Sequence, residues 1–253
     1  MSRKSHNNDI IFKIVGIKSN VVYLSGINLR LCADADMSDI VKEEKFDIDD
    51  DNIIERNQQI LKLNRENYFY IPGNILHIDG DNSYLKRCMK LYKELGIKSN
   101  GIVLEEKEIS SKISELLEKY RPDIIVITGH DSYVSKNNNK YDLGNYENTI
   151  HFISAIKAAR KYEKSQDKLI IIAGACQSDY EELIKAGANF ASSPKRINIH
   201  ALDPAIIASS IALSDKNQSI DLIKTLEKTK YGSDGIGGII TNGTMYVGYP
   251  RWI

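Results

Sequence analysis

Two patterns of apolar and polar positions divide the chain. Over the first forty residues, short β-branched runs at Ile10–Ile17, Val21–Ser25 and Asn28–Cys32 are separated by Ser19, Asn20 and Gly26, residue types that favour turns. Three strands of this length bury little by themselves. They predict a small, SH3-like and incomplete barrel whose first strand is missing ahead of the polar start at Met1. An acidic stretch, Asp47–Asp51, and a helix over Ile53–Asn67 come next. The stretch lacks the Gly and closing Glu of a calcium-binding EF-hand loop and reads as a solvated linker.

From Asn74 onward, apolar strands alternate with helices. Strands are predicted at Ile75–Ile78, Gly101–Leu104, Asp123–Thr128, Leu169–Ala173 and Asn189–Ala191, and helices at Asn82–Leu95, Ile109–Tyr120, Glu147–Tyr162 and Ser178–Ala186. Continuous apolar strands joined by helical crossovers predict an α/β fold, a doubly wound and mostly parallel sheet covered on both faces. The end changes again: Gly237–Thr241 and Thr244–Tyr249 flank Asn242-Gly243, a hairpin signal. The expected units are a β-rich segment 1–45, a linker and helix 46–72, and an α/β body 73–253 closed by that hairpin.

Composition narrows the class. Among 253 residues, 34 basic side chains balance 34 acidic ones, which leaves no electrostatic footprint for nucleic acid or an anionic membrane. The 42% apolar share supports one substantial core. No apolar run approaches the roughly 20 residues a membrane crossing requires, and the polar Met1–Ile10 carries no signal peptide. The three cysteines, Cys32, Cys88 and Cys176, form no close pair. That speaks against a disulfide framework or a metal site and for a reducing compartment. No cofactor is expected: Gly232–Gly238 is glycine-rich but lacks the strand and the Lys-Ser/Thr of a phosphate loop. It reads as a mobile substrate-binding loop.

In doubly wound sheets, ligands bind beyond the carboxyl ends of the strands. Two such ends carry reactive groups, Thr128-Gly129-His130-Asp131 and Ala173-Gly174-Ala175-Cys176-Gln177-Ser178. On neighbouring strands, roughly 4.8 Å apart, His130 and Cys176 would face each other. The imidazole would take the thiol proton and later protonate a leaving amine. A helix starting near Ser178 would favour the thiolate at Cys176. Either residue alone is more often structural, a small buried thiol or a loop cap. Their pairing, 46 residues apart on successive crossover units, is what argues for chemistry.

The runs Ile127-Thr128-Gly129-His130-Asp131, Ala173-Gly174-Ala175-Cys176-Gln177-Ser178 and 188–204, with Asp234-Gly235-Ile236-Gly237-Gly238 and Val247-Gly248-Tyr249-Pro250, resemble the YabG family of sporulation proteases over nearly the whole chain. More distantly, the order of strands, His and Cys is similar to the caspase–clostripain–gingipain clan. The resemblance implies a caspase-like arrangement and a cysteine endopeptidase. It further implies protein substrates of the spore coat and cortex, including germination-related ones, self-association for autoprocessing, and a place in the mother-cell cytoplasm or on the coat. In that clan a Gly follows the catalytic His, whereas here Asp131 follows and Gly129 precedes. The oxyanion amide beside that of Cys176 then comes from Gly129 or Asp131, and Asp131 either orients the imidazole or caps its loop.

Clan members such as clostripain cut after basic residues, which requires a carboxylate at the pocket floor. Asp179, Asp203 and Asp234 are candidates, each also explicable as a cap or turn residue. His77 and Asp79 are placed along the cleft, His200 is an alternative base, and Lys195 with Arg196 reads as a solvated pair. His151, Cys32 and Cys88 read as structural. A reading from another class, a scaffold that recruits coat proteins, would leave Cys176 packed and no more reactive than Cys88.

Overall fold

The computed structural model describes residues 1–43, 48, 50–58, 68–134 and 142–251. The N-terminal part forms two small antiparallel sheets in place of the single barrel predicted. Strands β1 (Ser2–Arg3), β2 (Phe12–Lys18), β3 (Val21–Gly26), β4 (Cys32–Asp36) and β5 (Ile40–Val41) divide into β2-β3-β4 and β1-β5. The third strand therefore begins at Cys32, where the sequence predicts that it ends. Gly26 explains the shift. Its N–H donates to the Leu31 carbonyl at 2.7 Å, and a Cβ there would lie 2.4 Å from the Leu29 carbonyl oxygen. The chain closes a tight loop over residues 26–31 instead of continuing the ladder.

Helix α1 (Asp50–Gln58) starts three residues ahead of the prediction, and the rest of the predicted helix lies outside the described residues, as do Asp47 and Asp49. Asp50 is not a solvated linker residue: it is buried and held by Arg87 Nε at 2.8 Å and Nη2 at 2.6 Å. Strand β6 (Phe69–Ile71) then leads into the large sheet.

Its elements are β7 (Ile75–Asp79), α2 (Asn82–Glu94), β8 (Ser99–Val103), α3 (Glu106–Tyr120), β9 (Ile124–Thr128), α4 (Thr149–Tyr162), β10 (Ile170–Ala173), α5 (Tyr180–Lys185), β11 (Phe190–Ser192), α6 (Asp203–Ala212), α7 (Leu222–Leu226) and β12 (Ile236–Gly238). The six strands run in the order β12-β11-β10-β9-β7-β8, parallel except for β12. Alternate strand residues feed two cores. Ile75, Val126, Ile170 and Ile172 pack with α2, α6 and α7 on one face, and Leu76, Ile78, Ile125, Ile127 and Ile171 with α3, α4 and α5 on the other. Helix α6 is buried at all ten positions, which suits its nearly uncharged Asp-Pro-Ala-Ile-Ile-Ala-Ser-Ser-Ile-Ala sequence.

The C-terminal hairpin does not form. Strand β12 joins the large sheet beside β11, and β13 (Tyr246–Gly248) pairs with β6. Gly243 is present for a different reason than a turn: a Cβ there would lie 2.0 Å from the Ser214 carbonyl oxygen. It permits close backbone approach. The Gly232–Gly238 segment likewise is not one loop, since its second half is strand β12.

Candidate active site

Strand order reverses around β7, which neighbours both β8 and β9, and the crevice at such a switch point is where ligands bind. Ala173 of β10 lies beside Ile127 of β9, and Thr128 beside Asp79 of β7. The residues that follow, Cys176, His130 and Asp81, thus emerge along one edge of the sheet.

Past β10 the backbone turns sharply, with Gly174 at φ 106° and Gln177 at φ 59°. A left-handed residue that carries a Cβ costs about 1 kcal/mol or more. Here it is held by contacts on both sides: the Gln177 N–H donates to Ser193 Oγ at 3.1 Å, its Nε2 donates to Asn198 Oδ1 at 3.2 Å, and its Oε1 accepts the Tyr133 N–H at 3.1 Å. Cys176, just before it, is wholly buried. The Ile199 N–H donates to its Sγ at 3.3 Å, and the thiol faces the Ile199 carbonyl at 3.9 Å. Burial pushes this thiol up to about 12, so it is protonated at neutral pH. Burial thus works against the thiolate predicted from the following helix, and α5, six residues long, starts only at Tyr180.

His130 and Cys176 are not hydrogen-bonded to each other. His130 Nε2 lies 3.3 Å from Asp81 Oδ2, and Nδ1 lies 3.5 Å from Cys32 Sγ. Burial opposes charge on the imidazole, but Asp81 and Cys32 outweigh it and raise its pKa to about 10. Asp81 is held well below the carboxylate range, first by the His130 hydrogen bond. It also caps α2 by accepting the Ser83 N–H at 2.7 Å. The sequence reading passes over Asp81 and takes Cys32 as packing. A signal existed for Asp81, which stands two residues past β7 at the switch point. None existed for Cys32, whose position depends on how a separate sheet docks.

Asp131 points away from the imidazole. It accepts the Ser132 N–H at 2.9 Å, the Asn148 N–H at 2.8 Å, the Ser178 hydroxyl at 2.8 Å and the Thr149 hydroxyl. Ser178 Oγ accepts the Ala175 N–H at 3.0 Å. Asp131 therefore ties together the loops of His130 and Cys176 and the start of α4. Of its two readings, the loop cap matches this geometry. Gly129 backs onto Glu106, whose Oε1 accepts the His130 N–H at 2.8 Å and would lie 2.2 Å from a Cβ at 129.

None of the three carboxylates expected at a pocket floor forms an open acidic site. Asp179 caps α5 and is ion-paired with Arg196 at 2.9 Å. Asp203 is buried, accepts the His200 and Lys230 N–H groups at 2.9 Å each, and is pushed by burial up to about 6. Asp234 is exposed in a 3-10 turn. Arg196 is correspondingly no solvated charge, since it also donates to the Tyr146 hydroxyl at 2.9 Å. The buried carboxylate beneath the edge is Asp79, which accepts Arg30 Nη1 at 2.7 Å and the Thr128 hydroxyl at 2.8 Å. His77, its neighbour, has its pKa lowered by burial and bonds Tyr92 and Thr128 at 2.9 Å. His200 is also buried, and its Nδ1 accepts the Leu202 N–H at 3.2 Å. Among the described residues, no group of three or more His, Cys, Asp or Glu is arranged to hold a metal ion, and no helix is long and apolar enough to cross a membrane.

A thiol and an imidazole past adjacent strand ends suit peptide-bond hydrolysis, and the chain is a peptidase: residues 1–250 match a family model described as YabG peptidase U57. The sporulation-specific protease YabG of Bacillus subtilis (strain 168) is 40% identical, over 99% of this chain and 96% of that relative. The chain belongs to the YabG peptidase U57 family.

Proposed function

We propose that the chain is a sporulation-associated cysteine endopeptidase of caspase-like arrangement, with Cys176 as nucleophile and His130 as proton shuttle. It cleaves spore-coat and germination-related proteins after basic residues and processes itself, in the mother cell or on the coat. The observation that carries this reading is the register of β9 and β10, which sends His130 and Cys176 out past neighbouring strand ends.

In the reaction, His130 in its neutral form, freed of the Cys32 contact that helps hold it charged, takes the thiol proton as the sulfur adds to the scissile carbonyl carbon. The N–H groups of Cys176 and Gly129 receive the developing oxyanion. His130 then gives the proton to the leaving amine as the C–N bond breaks and a thioester remains. Water, deprotonated by His130, cleaves the thioester and restores the thiol. Asp81, at 3.3 Å, orients the imidazole. Asp131 is a positioning residue that holds both loops.

Substituting Cys176→Ala should abolish cleavage of a coat-protein substrate, read by mass spectrometry of the products. Iodoacetamide should block the wild-type protein, and a chelator should not. Undiminished cleavage by Cys176→Ala would remove the nucleophile assignment.

A further inference from the structure

The loop between β3 and β4 lies against the edge of the large sheet rather than in solvent. Its backbone pairs antiparallel with residues 199–201. The Arg30 N–H donates to the Ile199 carbonyl at 3.1 Å, the Ala201 N–H donates to the Asn28 carbonyl at 3.1 Å, and Leu29 faces His200 across the bridge. Ile199 is the same residue that brackets the Cys176 sulfur through its N–H and carbonyl. The loop is therefore paired, through one isolated antiparallel bridge, with the segment that touches the nucleophile.

Its side chains reach the other parts of the site. Arg30 is 1% exposed and enters the body. Its Nη1 meets Asp79 at 2.7 Å, its Nε and Nη2 donate to the Ala201 carbonyl at 3.0 and 2.9 Å, and its guanidinium lies over the Tyr84 ring at 4.9 Å. Two residues on, Cys32 approaches His130 at 3.5 Å. A guanidinium is costly to bury unless its fork is matched by acceptors, and this site matches it. Main-chain pairing to a free strand, with a fitted pocket for one side chain, is how extended peptides are recognised.

We propose that the 26–32 loop is an intramolecular occupant of the substrate cleft, and that Asp79 is the residue that selects a basic side chain, Arg30 standing where that side chain binds. The proposal rests on the Cys176–His130 reading and goes beyond it by naming the specificity residue and the group that blocks access. The loop is not a free substrate, because the Leu31 N–H donates to the Leu29 carbonyl at 2.9 Å. That turn bends the backbone away from the extended form at Arg30. External substrate must displace the loop to reach this pocket.

The test uses the full chain and two fluorogenic peptides, one ending in arginine and one in leucine, with iodoacetamide labelling of Cys176 read by mass spectrometry. Gly26→Ala forces a Cβ against the Leu29 carbonyl and opens the loop without touching Asp79 or His130. Arg30→Ala removes the occupying side chain. Both variants should raise kcat/KM on the arginine peptide and the labelling rate by about tenfold, the blocked fraction being released. In the Gly26→Ala background, Asp79→Asn should lower kcat/KM on the arginine peptide about a hundredfold and spare the leucine peptide. The proposal is overturned if both loop variants, folded by circular dichroism, cleave and label within about twofold of wild type. Retained cleavage by Cys176→Ala is a different result and overturns the underlying nucleophile assignment.

Discussion

The α/β body and the N-terminal sheets meet the problem of burial on different scales. In the body both faces of the sheet are covered and Ile124–Ile127 are fully buried. In β2-β3-β4 the buried cluster is Phe12, Val22 and Leu24, while Ile14, Val15 and Ile17 on β2 are 39%, 58% and 57% exposed. The smaller part is joined to the body by polar contacts. The Tyr84 hydroxyl lies 2.8 Å from the Gly26 carbonyl and 2.9 Å from that of Leu29, Arg87 reaches the Ile27 carbonyl, and Arg30 meets Asp79. A part with so small a core and so polar a junction is expected to open at a lower free energy than the body.

The largest effects should come from the body. Ile206→Ala, in the helix buried all round, should cost about 2–5 kcal/mol, read from urea unfolding of the whole chain. Leu24→Ala should instead loosen the N-terminal sheets. Hydrogen exchange should rise across β2 to β4 while the main urea midpoint moves less than it does for Ile206→Ala. An equal shift of the main transition would mean that the two regions unfold as one cooperative unit.

A subtler probe is pH, because His130 bridges the two regions. Its folded pKa, raised to about 10, lies above the roughly 6.5 of an unfolded histidine. Its contribution to stability is therefore complete below about pH 6.5 and is lost as pH rises towards 10. Buried Cys88 and Cys176, pushed by burial up to about 12, also lose stability in alkali, so the informative quantity is a difference. Asp81→Asn keeps a good helix cap and should flatten the extra loss between pH 7 and 10 relative to wild type in thermal melts. Parallel curves would separate Asp81 from the His130 shift. The smallest effect should be that of Lys185→Ala, which removes an exposed i,i+3 ion pair with Glu182. It should leave the midpoint unchanged, as solvated pairs generally do.

What was legible in the sequence follows the range of the interactions. Strands β7, β9 and β10 and helices α2 to α5 declare themselves through local periodicity, and His130 and Cys176 through their places at strand ends. The carboxylate against His130 was legible only as a type: Asp131, adjacent in the chain, faces α4, and Asp81, 49 residues away, makes the contact. The Asp79–Arg30 pair joins two regions whose docking no local pattern encodes. Asn242-Gly243 misleads because a glycine needed for close approach to Ser214 looks, in sequence, like one needed for a turn.

The loop bearing Arg30 is tethered at both ends, by β3 and by β4. A ligand held on so short a leash acts at an effective concentration on the order of millimolar. A free protein substrate in the micromolar range competes with it only by binding roughly a thousandfold more tightly. Cutting one strand of the leash leaves every group in the cleft chemically unchanged, yet the loop is then held from one end only and its effective concentration falls. Activity would then be governed by chain connectivity rather than by any change in the site itself.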